Sequence, residues 1–368
     1  MGSKDTMTTT ILDAHRQWAT RPSDQRFTSL ESLRESVANR RIRARSVDIP
    51  LREVCAHQDG TDIVINSGTS PTRPNHWSFS QLCRSVQAPS AYLAALPTEL
   101  AVKCLNDGLQ RNGDNVSKLM SLRDDDGRDA TLAAVTSPTY GRIWDADVVD
   151  AVQRIVERTG GRFHNPLAYP QGRMEGNPIP PGLYASDRDV FMFMIDGGIR
   201  LEAGPRAQLN RGFFVSNSEV GAATFKLTTF LFNEVCGNHI VWGAKDVREL
   251  SIRHTSGGPA RFDAQAAPAL MDYVNASAKP IESAIQRAQQ YVLPADKDEK
   301  RQWFKSRGFT LGQADYAIAY AIREEGQCST LWDAVQGVTA SAREIEWMDT
   351  RIELETKGGK LLDLVSAE

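Results

Sequence analysis

The chain reads as an α+β protein, with a central antiparallel sheet and a helical C-terminal region packed on it. Between residues 188 and 256, short apolar runs alternate in period two and are punctuated by Asp, Asn, Gly and Ser, as strands joined by turns require. After Gly257-Gly258 the apolar period becomes that of helices. At 368 residues, 41% of them hydrophobic and 24% charged, the chain is ordinary for a globular protein and too long for one small core.

Residues 1–38 are expected to be a leader and a flexible, partly helical segment, with MGSKDTMTTT an addition ahead of a start at Met7. The first thirty residues are polar, unlike a signal peptide. Residues 39–160 form an N-terminal α+β part. In NRRIRARSVDIP, Arg41, Arg43 and Arg45 alternate, so in an extended strand they share one face, and Pro50 suggests a sheet edge. TDIVINSG is a second strand closed by a turn. The stretch 77–109 is a helical hairpin broken at Pro89-Ser90, with Gln87 where glycine is favoured. Its second helix lacks the side chains that read bases. KLMSLRDDDGRDATLAAVTS is a β-hairpin turning at Asp124–Gly127. An aspartate near Asp145 can cap a helix striped by Val148, Val149, Val152 and Ile155 and stopped by Gly160.

Residues 161–187, rich in Gly, Pro and Asn, form a loop or lid. The sheet core follows at 188–256. DVFMFMI is a strand that turns at Asp196-Gly197-Gly198 and returns as IRLEAG; RGFFVS, TFKLTTFLF, HIVWG and ELSIRHT follow, the run at Phe225 being ambiguous between strand and helix. The helical region at 257–368 carries stripes at Leu270, Met271 and Val274 and at Ile281, Ile285 and Val292. Thr310 and Ser329 or Thr330 are candidate caps.

Several segments carry a resemblance: LAAVTSPTYGRIWDADVV, RGFFVSNSEVGAATFKLTTFLFNEVCGNHIV, IRHTSG and TLWDAVQGVTASAREIEWMDTRIELETKGGKLL. Over roughly residues 40–365 the chain resembles the phage/plasmid-like protein family, a family of unknown function carried by prophages, plasmids and bacteriophages. His239 departs from the pattern, since glycine commonly follows the Cys-x-Asn element, and a left-handed turn at Asn238-His239 is less favoured for it. The resemblance implies a genetic setting in a bacterial host and no reaction, so no catalytic residue is carried over.

The net charge of -3 argues against a protein that binds duplex DNA by bulk charge, though a local basic groove is compatible with it. Five scattered cysteines suit a reduced, intracellular (cytoplasmic) protein without a disulfide framework. No run approaches the ~20 apolar residues of a membrane helix. Walker, GxGxxG, HExxH, CxxC and GxSxG motifs are absent, so nucleotide hydrolysis, dinucleotide chemistry and the familiar hydrolases are not indicated, and no cofactor is expected.

Three constellations remain. Ser216, Asn217, Ser218 and Glu219 form a dense polar loop that can hold a phosphate or a base, or can simply satisfy its own turn. Arg41, Arg43 and Arg45, extended by Lys226 and Arg253, can track a phosphate backbone, or keep an edge strand soluble. Cys236, His239 and His254 are weak metal candidates without an obvious fourth ligand. The leading expectation is a mobile-element accessory protein that binds single-stranded DNA in annealing or recombination, as a homo-oligomer. The alternatives are a non-enzymatic host-interaction or anti-defence factor that binds a protein or small ligand, and a metal-dependent enzyme.

Overall fold

A computed structural model describes residues 23–68, 70–165, 173–174, 177–178, 182–202, 208–233, 239–240, 249–277, 279–342, 344–345 and 348–366. Helix α1 (Leu30–Arg43) starts where the Ser29 hydroxyl accepts from the Ser32 amide, and buries Leu33 and Val37. It therefore takes up residues expected to be flexible, and it carries Arg41 and Arg43 on a helix. Only Arg45 lies in the following strand, β1 (Ala44–Pro50). The alternating arginines thus do not share a strand face.

Strands β2 (Cys55–Asp59) and β3 (Asp62–Asn66) form a hairpin. The pair β4 (Arg73–Pro74) leads into α2 (His76–Ser85), α3 (Ser90–Ala95) and α4 (Thr98–Arg111). Between α2 and α3, Gln87 takes the left-handed conformation at φ 60 in which glycine is favoured. Strands β5 (Val116–Arg123) and β6 (Asp129–Thr136) are the expected hairpin, with Gly127 at φ 78 in its turn. The N-terminal sheet runs β1-β5-β6-β4, so β1 is an edge strand, as Pro50 suggested. One face of this sheet meets α2 and α4 through Leu51, Leu82, Leu105, Leu119 and Val135.

Helix α5 (Asp145–Arg158) buries Val148, Val149, Val152 and Ile155, and Gly160 follows at φ 63. The second sheet comprises β7 (Phe163–His164), β10 (Leu183–Ala185), β11 (Val190–Glu202), β12 (Gln208–Asn217), β13 (Phe225–Asn233), β14 (His239–Ile240) and β15 (Glu249–Ile252). The short pair β8 (Arg173–Met174) and β9 (Asn177–Pro178) stands apart from it. All described pairings in the second sheet are antiparallel. The residues around Phe225 are strand, which resolves the ambiguity there.

The expected turn at Asp196-Gly197-Gly198 does not form. β11 runs straight through it with a register shift between Ile195 and Arg200, and its partner is β12. The reason lies in the side chains. Asp196 is buried against two arginines, and a Cβ at Gly198 would stand 2.2 Å from Cδ of Arg162. Here Asp-Gly-Gly makes room for a charge rather than a reversal.

One face of the second sheet packs Met192, Met194, Phe213, Val215 and Leu227 against α1, α5 and α6 (Gly258–Asn275). The other face gathers Phe191, Phe193, Phe214 and Phe230 into stacked and edge-on contacts. Phe214 is buried there, so it is not open to stack a base. At the far end of the sheet, Leu201, Leu209 and Leu231 join the C-terminal helices. These are α7 (Lys279–Gln290), α8 (Lys297–Lys305), α9 (Leu311–Glu325), α10 (Leu331–Ala342) and α11 (Met348–Lys360). Thr310 caps α9 in a reciprocal capping box with Gln313, and the Thr330 hydroxyl accepts from the Asp333 amide. Val292 lies beyond the end of α7 and is exposed, so it is not part of that helix's stripe. Among the described residues no helix is long and apolar enough to cross a membrane.

Candidate functional site

The polar loop at the end of β12 is not open. Asn217, Ser218 and Glu219 are at most 1% exposed; only Ser216 is half-buried, opposite Lys226 on β13. The loop is the joint between the two sheets. Asn217 Nδ2 donates to the Ile143 carbonyl at 2.9 Å and to Asp145 Oδ1 at 2.7 Å. The Ser218 hydroxyl donates to the Arg188 carbonyl and accepts from the Ala222 amide at 2.9 Å, closing the turn in which Gly221 stands at φ 83. The Val220 carbonyl accepts from Trp77 Nε1 at 3.1 Å and from Gln81 Nε2 at 2.8 Å, while Gln81 Oε1 accepts from the Val135 amide at 2.9 Å.

Glu219 caps α5 from across the molecule. Its Oε2 accepts from the Asp145 amide, the first of the helix, at 3.1 Å, where the helix dipole favours a negative charge. Its Oε1 lies 2.8 Å from Arg40 Nε, out of line for a hydrogen bond, so the attraction is mainly Coulombic. The Arg40 guanidinium also donates to the carbonyls of Ser186 at 2.7 Å and Asp187 at 2.9 Å. Arg142 donates to the Glu219 carbonyl and lies over the rings of Tyr140 and Trp144. Asp145 is the first residue of α5 rather than its cap. Burial, and then the neighbouring Glu219 charge, push its carboxyl well above the usual carboxylate range. His254 stacks on Tyr140 at 5.0 Å, and its Nδ1 accepts from the Ile143 amide at 3.2 Å; burial lowers its imidazole to about 4. His254 is thus a neutral acceptor inside the joint.

The other end of β12 repeats the device with opposite sign. Arg211 is fully buried and donates to the carbonyls of Ala276 at 2.7 Å and Tyr273 at 3.4 Å, where α6 ends. Asp196 balances it at 3.2 Å and lies 2.9 Å from Arg162 Nε. The sequence gives two hints of these charges: Arg211 shares the parity of Phe213 and Val215, and Arg40 falls at i+7 and i+3 from Leu33 and Val37 on a helix.

The remaining arginines separate. Arg41 pairs with Asp147 and lies over Trp144. Arg45, exposed, stands 3.5 Å from the buried Asp129 carboxylate. Arg43 donates through Nε to the Arg123 carbonyl at 2.6 Å, and Arg123 Nη2 returns to the Ile42 carbonyl at 2.8 Å. Neither Arg43 nor Arg123 has a carboxylate partner among the described residues. Lys226 lies opposite Ser251, with Arg253 two residues beyond; both cations are exposed and likewise unpaired among the described residues.

Of the metal candidates, Cys236 lies outside the described residues, the side chain of His239 is likewise not described, and His254 is engaged in the joint. No group of three or more metal-ligating side chains occurs among the described residues. Cys55, Cys83, Cys104 and Cys328 are free thiols, and burial raises those of Cys83 and Cys328 to about 11, which leaves them protonated and unreactive. No family model, no curated protein and no solved structure matches this chain.

Proposed function

We propose that the protein binds single-stranded nucleic acid, as an accessory protein of a phage or plasmid acting in annealing or recombination, along the edge where α1 passes into β1. One observation carries the reading. Among the described residues, the crossed guanidinium groups of Arg43 and Arg123 bond only to backbone carbonyls, and no acid there cancels their charge. Held in this way they are preorganised, with N–H groups left for phosphate oxygens. Arg45 extends the edge, but Arg45 and Arg41, paired with Asp129 and Asp147, contribute less. The resemblance to phage/plasmid-like proteins supplies the setting.

The test is the anisotropy of a labelled single-stranded oligonucleotide across a salt series. Replacing both Arg43 and Arg123 by Ala is expected to reduce the slope of log K against log salt by about 1.4, at roughly 0.7 per phosphate contact on a single strand. Absence of binding at low salt sinks the proposal.

The second reading, a factor that binds a small ligand, is favoured by a cleft on the same N-terminal sheet.

A further inference from the structure

An open cleft of about 420 Å³ lies between the C-terminal half of α2 and the end of the β5–β6 hairpin. That volume lies in the range of small-molecule sites. Leu51, Val116, Val135 and Pro138 give it an apolar wall, and Gln81 and Tyr140 close it toward the joint.

Three polar side chains that line it have no partner among the described residues. Ser117 is only 7% exposed, yet its hydroxyl makes no hydrogen bond among the described residues. The oxygen is not shut off from solvent, so it is available to bond a ligand in the cleft. The Asn115 side-chain amide and the Arg84 guanidinium also line the cleft, and Arg84 has no acidic partner among the described residues. No carboxylate lines the cleft to oppose an anion.

We propose that this cleft binds a small organic anion: an oxyanion head held by Arg84, Asn115 and Ser117, and a compact apolar body laid against Leu51, Val135 and Pro138. One cation and two neutral donors suit a phosphate monoester or a carboxylate, and the planar guanidinium can meet either in a two-bond fork.

Phenyl phosphate, benzoate and inorganic phosphate are the probes, titrated into the full chain by calorimetry or ligand-observed NMR. At least one aromatic anion is expected to bind with Kd of about 1 mM or tighter, a reasonable affinity for so few atoms. Inorganic phosphate is expected to bind at least about tenfold more weakly, because it cannot use the apolar wall. Arg84→Ala should weaken the aromatic anion by about tenfold, with Arg84→Lys intermediate. Ser117→Val, which removes the hydroxyl, should weaken it by about threefold. Arg84 is exposed, so its variants should fold as the wild type does, with circular dichroism as the check.

Failure of both aromatic probes at about 10 mM, or equal binding by wild type and Arg84→Ala, overturns the site. Equal affinity for inorganic phosphate overturns the role of the wall. Salt-dependent binding of single-stranded DNA should be the same in Arg84→Ala as in the wild type, so this proposal and the preceding one fail separately.

Discussion

The joint at the end of β12 and the helical bundle around α10 are equally buried and built on opposite rules. In the joint, side chains of Arg40, Arg142, Asp145, Asn217, Glu219 and His254 occupy the space between two sheets and are held by directional bonds. In the bundle, every residue of α10 is buried, and small residues let helices touch. A Cβ on Gly337 would stand 2.1 Å from the carbonyl oxygen of Ala317 on α9. The polar residues of α10 mostly turn back on their own helix, as Thr339 does to the Val335 carbonyl at 3.0 Å. The bundle should therefore resist added atoms, and the joint should resist lost bonds.

The largest effect is expected from Gly337→Ala, which adds one carbon to a helix interior. Propensity alone would favour alanine by up to about 1 kcal/mol. The contact with a backbone oxygen reverses that, and a loss above about 3 kcal/mol is expected in urea denaturation. A neutral or stabilised variant would mean that α9 and α10 can move apart freely.

Next is Glu219→Ala, which leaves Arg40 without its acid and the first amide of α5 without its acceptor. A loss of about 2–3 kcal/mol is expected, since Arg40 is partly exposed and keeps its carbonyl bonds, with Glu219→Gln recovering part of it because an amide oxygen can still accept from Asp145. Equal losses for both would place the energy in the ion pair alone.

The joint should also carry a pH dependence that the bundle lacks. His254 is held neutral in the fold, with its imidazole lowered to about 4 from an ordinary 6.5. In that window the unfolded chain binds the proton more readily, so stability falls as pH drops from about 6.5 to about 4, by up to roughly 3 kcal/mol. Denaturation at pH 7, 6, 5 and 4 measures the slope, and His254→Gln should flatten it.

The smallest effect is expected from Asp145→Asn. The Asp145 carboxyl is raised, so the folded state holds its proton more tightly, and this group's contribution to stability declines as pH rises past the ordinary carboxylate range. The amide removes that decline. A change within about 1 kcal/mol near pH 5, turning more favourable at pH 8, is expected. A large loss at every pH would show that the ionised carboxylate is needed.

The contrast also governs what could be read from the chain alone. Volume and period are local, so the C-terminal caps, the break between α2 and α3 and the β5–β6 hairpin were legible, but the further break at Pro97, which makes the stretch 77–109 three helices rather than a hairpin, was not. The joint was half legible. The density of polar groups from Ser216 to Glu219 marked it, but their partners come from residues 40, 142–145 and 188. Nothing local distinguishes an open site from a closed one. The arginine run misled because an alternation of charges fits a strand, whereas the buried pair Leu33 and Val37 starts a helix that runs through Arg43. The glycines at 197 and 198 misled in the same way, since space for Arg162 and a hairpin turn call for the same residue.

Arg211 and Glu219 have a consequence for how the sheet chooses its alignment. The apolar residues of β12 are tolerant: shifting the strand by two residues would still present Phe213 and Val215 to the same face. Such a slip moves every side chain by about 7 Å. It would take Arg211 away from the last carbonyls of α6 and Glu219 away from the first amide of α5 in one step. Two opposite charges at a fixed separation thus act as a gauge. Two deeply buried charged side chains decide which of several greasy alignments is accepted.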